Sequence, residues 1–451
     1  MAFKYKNVLK IAQPVLLMSI LLTKLEKNPS GSGPLYDELS SLLGAGNLTN
    51  ALVNETSKMD RLKELNLGWA RINLYPQYYY SNGKPLPVSL DTVMLQLYRR
   101  QISPFILFEY YGSYADIGQE LGDYDKWHAI GRAYAKRYAP GGDWAREQGI
   151  DDWGVRVFSA LNEPDVERSI PFEDYRDALA GLADGVHSVD PTLRVIPGGF
   201  SSQNSFDDWT LKGYGTAIAP LLNNGQLDGL DLHTYYDIQY APLNGTYANS
   251  AQYTFDRVKQ ALGLTREISF YSTEFNIKRR STPSLTMTEE LAAKQFLTAI
   301  WDQLGVVSAS GKRPVTVFAM PWSLFHRSQQ DGWYGIGAPS TDPPDRWPAR
   351  LKVLGLVTAV AKGTYFESMD PRGKGEYVLA GSGKKLWVWQ NLKGWSNRTG
   401  TRYRVVGIPG IATELSVYRW NGLWRTYPIE GQTEFTVTGL EPEETYMFLA
   451  K

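Results

Sequence analysis

Two glutamates in this sequence lie where buried strands are expected to end, a placement in which carboxylates can do chemistry. Glu163 lies in "LNEP", directly after the apolar run VFSAL, and Glu274 lies in "FYSTEFN". A pocket lined by two carboxyl groups can use one as a proton donor and the other as a nucleophile or charge stabiliser. Taken singly, each glutamate is more often a solvated or salt-bridged surface group. Their joint function therefore depends on whether the fold brings both to one pocket.

Short apolar runs along the chain predict parallel strands. Runs of Val, Ile, Phe and Leu without strict alternation are typical of strands that are buried on both faces. They cover residues 68–74, 103–110, 153–164, 194–200, 229–237, 268–276 and 314–325. Between them, residues 123–139, 172–188 and 288–305 carry apolar side chains at helical spacing. The alternation of strands and helices indicates an α/β fold.

An eighth strand is expected within Gln13–Leu22, where an apolar run follows basic residues. A secretory signal has a similar pattern, but no small-residue cleavage site follows, and the run is short for a membrane span. Eight strands alternating with helices predict an eight-stranded parallel β/α barrel. The rival is an open doubly wound sheet, which would carry a glycine-rich phosphate turn after its first strand. Neither GxGxxG nor GxxxxGK[ST] occurs.

The pattern changes from about Thr364 onward to short alternating segments separated by Gly, Asn and Pro turns. This pattern is typical of a small antiparallel β-sandwich. The segments cover residues 377–383, 385–392, 402–408, 413–420, 433–440 and 445–450. We therefore predict two domains, a catalytic β/α barrel over 1–363 and an accessory β-sandwich over 364–451. The expected role of the sandwich is packing against the barrel.

In the predicted barrel, Glu163 ends the fourth strand and Glu274 ends the seventh, on opposite sides of the mouth where the βα loops converge. Two carboxyl groups flanking a pocket are what glycoside hydrolysis requires. One protonates the departing glycosidic oxygen while the other attacks or stabilises the anomeric carbon. The joint placement favours this chemistry over two unrelated surface groups.

Four loops at the predicted strand ends are rich in tyrosine. They cover residues 75–83, 109–118, 235–247 and 331–337. Aromatic faces stack on the apolar faces of sugar rings, and phenolic hydroxyls bond sugar hydroxyls, so these loops suit a saccharide cleft. Ordinary loop tyrosines or a protein-binding surface are the alternatives.

The motifs "LNEP" (161–164) and "TEFN" (273–276) resemble the acid/base and nucleophile strands of the clan of retaining glycoside hydrolases with β/α barrels. "TEFN" with the trailing sandwich is most similar to glycoside hydrolase family 39, which includes β-xylosidases, α-iduronidases and bacterial exopolysaccharide endoglycosidases. The resemblance covers residues 65–363 and, more weakly, the sandwich. It implies Glu163 as acid/base, Glu274 as nucleophile and Asn162 as the partner of the sugar 2-hydroxyl. One departure is that the first strand lacks a clear Gly-x-Asn.

Four further residues match the clan less specifically, and Glu109 is a third carboxylate at the same rim. Arg71 in "WARIN" resembles an arginine that pairs with the nucleophile, and a barrel-bottom ion pair is the alternative. "HTYY" suggests Tyr235 as a hydrogen-bond partner of the nucleophile and His233 as a pocket wall, against a satisfied core histidine. Trp322 resembles the tryptophan of a sugar platform, against a core aromatic. Glu109 ends the third strand, and substrate binding is the most we expect of it.

Composition excludes several other functions. Lys+Arg and Asp+Glu are both 47, so no net charge points to nucleic acid or an anionic membrane surface. There are no cysteines, hence no disulfides or thiolate metal sites, and the four histidines show no close ligand pairing. We expect a carbohydrate as partner, no nucleic acid, no transmembrane segment, no cofactor and no metal. A polysaccharide substrate would favour a secreted or cell-surface location, although no clear cleavable signal peptide is present.

The leading hypothesis is a retaining glycosidase that cleaves a bond, expected to be β, in a polysaccharide or oligosaccharide, such as a bacterial exopolysaccharide endoglycosidase. An exo-acting β-xylosidase-like enzyme, a catalytically inactive saccharide-binding barrel and a metal-dependent hydrolase are the alternatives. Both glutamates and Asn162 being present speaks against the inactive barrel. The scarcity of histidine speaks against the metal-dependent enzyme. For a retaining mechanism we expect carboxyl groups about 5–5.5 Å apart rather than the roughly 6.5–9.5 Å of inverting enzymes.

Overall fold

The computed structural model describes residues 39–48, 56–85, 87–110, 121–166, 170–201, 213–236, 250–277, 288–310, 314–324, 348–369, 375–381, 383–392 and 400–451. All of them belong to the compact unit Tyr36–Lys451. The strand expected within Gln13–Leu22 and most of the loops at 109–118, 235–247 and 331–337 lie outside the described residues. No helix in the described part of the chain has the length and apolar character needed to cross a membrane.

Parallel strands alternate with helices over the first four-fifths of the chain. The strands up to residue 321 are β1 Gly44–Leu48, β2 Trp69–Leu74, β3 Tyr80–Ser81, β4 Lys84–Pro85, β5 Ser103–Phe108, β6 Val157–Ala160, β7 Arg194–Pro197, β8 Phe200–Ser201, β9 Gly229–Tyr236, β10 Ser269–Ile277 and β11 Thr316–Pro321. The helices are α1 Thr56–Glu64, α2 Pro76–Tyr79, α3 Pro87–Arg100, α4 Tyr124–Tyr138, α5 Asp143–Glu147, α6 Phe172–His187, α7 Gly215–Asn224, α8 Ala251–Ala261, α9 Glu289–Leu304 and α10 Ala349–Ala361. A short 3-10 helix, Leu39–Leu42, precedes β1.

The predicted helices over 123–139, 172–188 and 288–305 are confirmed as α4, α6 and α9. Their starts follow from capping chemistry. Asp123 accepts a hydrogen bond from the Lys126 backbone N–H, and Thr288 accepts one from that of Leu291, so each satisfies a donor that the first turn leaves free. Glu289 and Glu290 add negative charge where the helix dipole is positive.

The parallel strands form two sheets. One has the order β1-β2-β5-β6-β7 and the other has the order β11-β10-β9-β8. β7 and β8 are consecutive in the chain, separated only by Gly198 and Gly199. Leu43, next to β1, forms a parallel bridge with Ala319 of β11, and the Asp228 backbone N–H donates to the Val195 carbonyl oxygen at 2.9 Å. Strands of the two sheets therefore meet at two places.

β1, which pairs with β2 in parallel, was not among the predicted strands. Its sequence, GAGNL, has no apolar run because two of its five residues are glycines. A Cβ at Gly44 would lie 2.8 Å from the carbonyl oxygen of Trp69, and one at Gly46 would lie 3.3 Å from that of Thr273. Close backbone packing, rather than hydrophobic patterning, selects this segment as a strand.

An apolar cluster gathers side chains from both parallel sheets. Its members come from β2, β5, β6, β7, β10 and β11: Trp69, Phe105, Leu107, Val157, Ile196, Tyr271, Phe318 and Met320. Phe318 is the centre, with ring centroids 4.9 Å from Trp69 and 5.2 Å from Phe105. The strands continue beyond this cluster toward their carboxyl ends. The candidate functional residues lie there.

The C-terminal region is an antiparallel β structure, as the alternating segments predict. Its strands are β12 Tyr365–Met369, β13 Glu376–Gly381, β14 Lys384–Asn391, β15 Arg402–Val406, β16 Glu414–Arg419, β17 Gly422–Pro428, β18 Glu434–Thr438 and β19 Glu444–Ala450. Six form one sheet in the order β12-β13-β14-β19-β16-β17, and β15 pairs with β18. An apolar cluster with Trp389, Tyr403 and Phe448 joins the two sheets. β12 and β17 were not predicted, since neither has a long apolar run.

The antiparallel region contacts helix α9. The Gln390 side-chain amide donates to the Thr298 carbonyl oxygen at 3.0 Å, and the Thr298 and Thr445 hydroxyls lie 2.7 Å apart. Lys294 forms an ion pair with Glu444 at 3.0 Å. These buried polar contacts fix the orientation of β14 and β19 on α9.

Candidate active site

Strands β2, β9 and β10 bring four of the expected residues together, namely Arg71, His233, Tyr235 and Glu274. Along β9, Asp231, His233 and Tyr235 alternate in position and therefore share one face of the strand. On β10 the consecutive residues Thr273 and Glu274 both contact this face. Two neighbours can do so because the pairing register of β10 with β9 shifts between Tyr271 and Phe275.

The Glu274 carboxylate is held by two strong donors. Arg71 Nη2 donates to Oε1 at 2.6 Å, and the Tyr235 hydroxyl donates to Oε2 at 2.5 Å. Burial alone would raise the pKa of Glu274, but the charges of His233 and Arg71 and the Tyr235 hydrogen bond outweigh it and lower that pKa below its usual value. Arg71 thus contacts the rim carboxylate rather than forming a separate ion pair at the bottom of the strands. Glu274 is an ionised, fixed carboxylate.

The pKa values of the two donors, Arg71 and Tyr235, are shifted by the same contacts. Burial lowers the pKa of Arg71, while the charge of Glu274 raises it, and the net direction is upward. Burial and the charge of Glu274 raise the pKa of Tyr235 well above its usual value. Both groups therefore keep their protons and remain hydrogen-bond donors to the carboxylate.

Glu163 follows β6 in a backbone conformation that side-chain-bearing residues rarely adopt. Leu161 and Glu163 have φ of 62° and 39°. The Glu163 backbone N–H donates to the Gly199 carbonyl oxygen at 2.9 Å. A Cβ at Gly198 would lie 1.9 Å from the carbonyl oxygen of Leu161, so glycine is required where β7 passes this turn.

The Glu163 side chain points at His233 and Glu274. Its Oε1 lies 2.7 Å from His233 Nδ1, and one of its carboxylate oxygens lies within 4.8 Å of one of Glu274. His233 is fully buried, and its Nε2 lies 2.8 Å from the Thr273 hydroxyl. The histidine is therefore both a buried, hydrogen-bonded residue and a direct neighbour of the two carboxylates. Burial alone would lower its pKa, but the charge of Glu274 and the hydrogen bond to Glu163 raise the pKa of His233 to about 9.

Asn162 and Glu109 are linked through the backbone. The Asn162 N–H donates to Glu109 Oε1 at 3.0 Å, so Glu109 holds the turn that carries Glu163. The side-chain oxygen of Asn162 is buried and has no hydrogen-bond partner within the described residues. The same holds for the side-chain oxygen of Asn73 near the end of β2, a residue that was not among the predicted site residues. A buried acceptor without a donor costs free energy unless a ligand supplies one.

Trp322 follows β11 and is half-buried. Its backbone N–H donates to the Phe275 carbonyl oxygen at 3.0 Å, and its carbonyl oxygen accepts from the Asn276 side chain at 2.5 Å.

Of the four tyrosine-rich loops, the one at 75–83 is described, and its Tyr78 is exposed by 57%. The remaining loops lie largely outside the described residues.

Asp231 and Thr273 are site residues that sequence reasoning missed. Asp231 is buried and accepts the Thr273 N–H at 2.9 Å and the Thr273 hydroxyl at 2.6 Å. Period-two spacing along "DLHTY" could have indicated Asp231, since His233 and Tyr235 were already candidates on the same face. Gly199 was also missed, where a Cβ would lie 1.9 Å from His233 Nε2.

Glu163, His233 and Glu274 are side chains of metal-binding types, with one possible ligand atom of each within 4.8 Å of the others. Hydrogen bonds account for the cluster, since both ring nitrogens of His233 have oxygen partners and both oxygens of Glu274 have donors. A cation here would also face the Arg71 guanidinium. The atoms that could bind a cation are therefore engaged in hydrogen bonds and in the ion pair with Arg71.

The sequence matches no protein-family model and no curated protein. Solved glycoside hydrolases share its fold. A glucosidase from Croceicoccus marinus has a TM-score of 0.61 at 12% identity, covering 94% of this chain and 97% of that chain. A monomeric β-xylosidase from Caulobacter crescentus CB15 has a TM-score of 0.57 at 14% identity, covering 93% and 97%. A family 39 glycoside hydrolase from Bacteroides cellulosilyticus WH2 has a TM-score of 0.54 at 15% identity, covering 92% and 82%. At these identities the likeness establishes the fold.

Proposed function

We propose that this protein is a retaining glycoside hydrolase, with Glu163 as acid/base and Glu274 as nucleophile. The observation that carries the proposal is a pair of carboxylates in contrasting environments, with one oxygen of Glu163 within 4.8 Å of one oxygen of Glu274. Retaining enzymes need carboxyl groups about 5–5.5 Å apart, and inverting enzymes roughly 6.5–9.5 Å, so this close approach of two carboxylate oxygens favours retention. The shared fold of the glucosidase, the β-xylosidase and the family 39 enzyme is consistent with this.

The mechanism follows from the two environments. Glu274, ionised beside Arg71 and Tyr235, attacks the anomeric carbon and forms a glycosyl ester as the glycosidic bond breaks. Glu163 gives a proton to the departing oxygen. Water then attacks the anomeric carbon of the glycosyl ester. Glu163 takes a proton from that water, and Glu274 leaves as a carboxylate. Esterification removes the negative charge of Glu274, which lets Glu163 change from acid to base between the two steps.

The orphaned oxygen of Asn162 supports a role in binding the sugar. A 2-hydroxyl could donate to this buried acceptor, and such a contact strengthens as charge develops on the ring. The half-buried ring of Trp322 suits a platform beneath the sugar, and Glu109 acts by holding the Asn162 backbone. The substrate class we propose is a β-linked oligosaccharide or polysaccharide cut internally, with exo action as the alternative. A polysaccharide substrate would place the protein outside the cell.

We also propose that the two parallel sheets form one closed eight-stranded β/α barrel, in which β7 and β8 count as one strand interrupted at Gly198 and Gly199, with residues 364–451 as a separate β-sandwich domain. The Leu43–Ala319 bridge, the contact between Asp228 and Val195, and the apolar cluster shared by both sheets support closure. The change from parallel to antiparallel strands after α10 supports the domain boundary.

The test is a screen of aryl β-glycosides and microbial exopolysaccharides in the presence of EDTA, with Glu163→Gln and Glu274→Gln as controls. We expect EDTA-resistant release of sugar whose first-formed anomer, followed by NMR, retains the configuration of the substrate. Binding of a polysaccharide without cleavage would instead indicate a saccharide-binding protein. Activity abolished by EDTA, or an inverted first product, would overturn the proposed mechanism.

A further inference from the structure

The His233 ring lies at the centre of a continuous hydrogen-bonded chain that begins at Asp231 and ends at Glu163. Asp231 Oδ2 and the Thr273 hydroxyl are 2.6 Å apart, that hydroxyl and His233 Nε2 are 2.8 Å apart, and His233 Nδ1 and Glu163 Oε1 are 2.7 Å apart. Asp231, Thr273 and His233 are all buried to 1% exposure or less. Water therefore does not compete for these hydrogen bonds.

The donors in this chain can be assigned from chemistry. Burial raises the pKa of Asp231, and the charges of His233 and Arg71 and the two Thr273 hydrogen bonds act against this rise. Held ionised by these groups, Asp231 only accepts, so the single hydroxyl proton of Thr273 points to Asp231. Arg71 Nη1, at 3.3 Å, is also a donor and takes up one lone pair of the Thr273 oxygen. The remaining lone pair faces His233 Nε2, which must therefore carry a proton and donate it.

The other ring nitrogen then has one defined role. With Nε2 protonated, Nδ1 and Glu163 Oε1 hold a single proton between them, as a neutral imidazole with a carboxylic acid or as an imidazolium with a carboxylate. Both forms have the same number of protons. The pair can therefore lose one proton to a leaving group and regain it from water.

We infer that Asp231 and Thr273 are positioning residues that fix the ring of His233 with its proton on Nε2, so that Nδ1 and Glu163 share the proton used in acid/base catalysis. The inference rests on the proposed function for its catalytic part, but the position of the ring proton can be measured without any activity. In the first step the shared proton moves to the departing oxygen, leaving neutral His233 and the Glu163 carboxylate. In the second step the attacking water returns a proton to the pair.

Charged and titratable groups surround the pair on several strands. Arg71 on β2, Asp231 and Tyr235 on β9, and Glu274 on β10 face the ring or its partners, as does Glu163 itself after β6. The carboxylates outnumber the one arginine. The pKa of His233, raised to about 9 by the Glu274 charge and the Glu163 hydrogen bond against the opposing effect of burial, agrees with a pair that keeps its shared proton at neutral pH.

Asp231→Asn tests the inference because it reverses the direction of the hydrogen bonds from residue 231 to His233 while keeping the size of the side chain. The asparagine oxygen can still accept the Thr273 N–H, but its amide donates to the Thr273 hydroxyl, which must then donate to Nε2. The ring proton then lies on Nδ1, which donates to Glu163, and Glu163 is an unprotonated carboxylate without a proton to share. The matched control is Asp302→Asn, because Asp302 is also buried and also accepts a backbone N–H and a hydroxyl, from Ala251 and Tyr236.

The first measurement is ring-nitrogen NMR of the full-length, ¹⁵N-labelled protein, which has four histidines. The His233 signals are assigned by their loss in His233→Asn. We expect a protonated Nε2 in the wild-type protein and in Asp302→Asn, and an unprotonated Nε2 in Asp231→Asn near neutral pH. An unprotonated Nε2 in the wild-type protein would overturn the inference, and this measurement needs no catalytic activity.

The second measurement compares glycosides with poor and good leaving groups. In Asp231→Asn, kcat/KM for poor leaving groups should fall about tenfold or more, with much less loss on activated aryl glycosides, because only the former need proton donation. The alkaline limb of the pH profile should move to lower pH by about two units or more, because the pair would lose its shared proton near neutral pH rather than near the native His233 pKa of about 9. Equal losses of kcat/KM on both kinds of substrate, with no movement of the alkaline limb, would refute the catalytic part of the inference. A wild-type protein without activity on any glycoside would refute the proposed function and leave the NMR result to decide the proton position.

Discussion

Glu274 and Glu163 both lie toward the carboxyl ends of parallel strands, but different contacts hold their side chains. Glu274 lies inside β10, a strand whose nine residues are all buried, and charge fixes its carboxylate through Arg71. Glu163 lies beyond the four-residue β6, at φ of 39°, and the backbone of Gly199 and the ring of His233 fix it. A nucleophile must stay ionised, whereas an acid/base must gain and lose a proton. A permanent cation suits the first task and a titratable neighbour suits the second.

Removing the proposed nucleophile should give the largest effect. Glu274→Gln is expected to lower kcat by roughly 10⁴- to 10⁶-fold, as loss of a nucleophile does in other covalent enzymes. The matched control is Glu444→Gln, which changes another buried, ion-paired glutamate outside the site and should leave kcat unchanged. Reaction with an activated 2-fluoro glycoside should label Glu274. A label on any other residue would refute its assignment.

Glu163→Ala should separate the role of Glu163 from that of Glu274, because its effect depends on the leaving group of the substrate. Cleavage of substrates with poor leaving groups should fall by about 10²- to 10⁴-fold, while the glycosylation step with activated aryl glycosides should be nearly spared. Azide should restore turnover and yield a β-glycosyl azide if the natural bond is β. Comparable losses for both kinds of substrate, without azide rescue, would remove Glu163 from the acid/base role.

Arg71→Met tests whether charge fixes the nucleophile. The pKa of Glu274 is lowered in the native protein, so the carboxylate stays ionised well into acid. Without Arg71, only the charge of His233 and the Tyr235 hydrogen bond oppose the effect of burial, so the pKa of Glu274 should rise and the acid limb of kcat/KM should move to higher pH. Breaking a buried ion pair also costs about 3–5 kcal/mol of the free energy of unfolding.

The control for Arg71→Met is Arg350→Met, because Arg350 is equally buried and pairs with Glu289 at 3.2 Å. Both variants should lose stability in denaturant titrations, but only Arg71→Met should move the acid limb. An unmoved limb in Arg71→Met would mean that Arg71 supports the fold without holding the charge of Glu274.

The parts of this site that could be predicted from the sequence are those written in local patterns. The apolar runs gave β9 and β10, and helical spacing gave α4, α6 and α9, so Glu274, His233 and Tyr235 could be placed at strand ends. β1 could not be predicted, because its glycines are required by the close packing of backbone atoms of Trp69 and Thr273, which are far away in the sequence. The contact of both Thr273 and Glu274 with the site also escaped prediction, since it depends on a shift in strand register that no sequence periodicity records.

The smallest effect is expected from Tyr235→Phe, which removes one hydrogen bond from Glu274 and leaves the ion pair with Arg71. Hydrogen bonds to charged groups contribute about 1.5–3 kcal/mol, which corresponds to roughly 10- to 100-fold in rate if the bond matters fully in the transition state. The neighbouring Tyr236→Phe is the matched control, because Tyr236 is also buried and donates to a carboxylate, that of Asp302, outside the site. If charge is the main means of holding Glu274, kcat should fall less in Tyr235→Phe than in Arg71→Met, and the acid limb should move by less. A larger loss in Tyr235→Phe than in Arg71→Met would reverse the comparison and make the hydroxyl, rather than the guanidinium, the group that fixes the nucleophile.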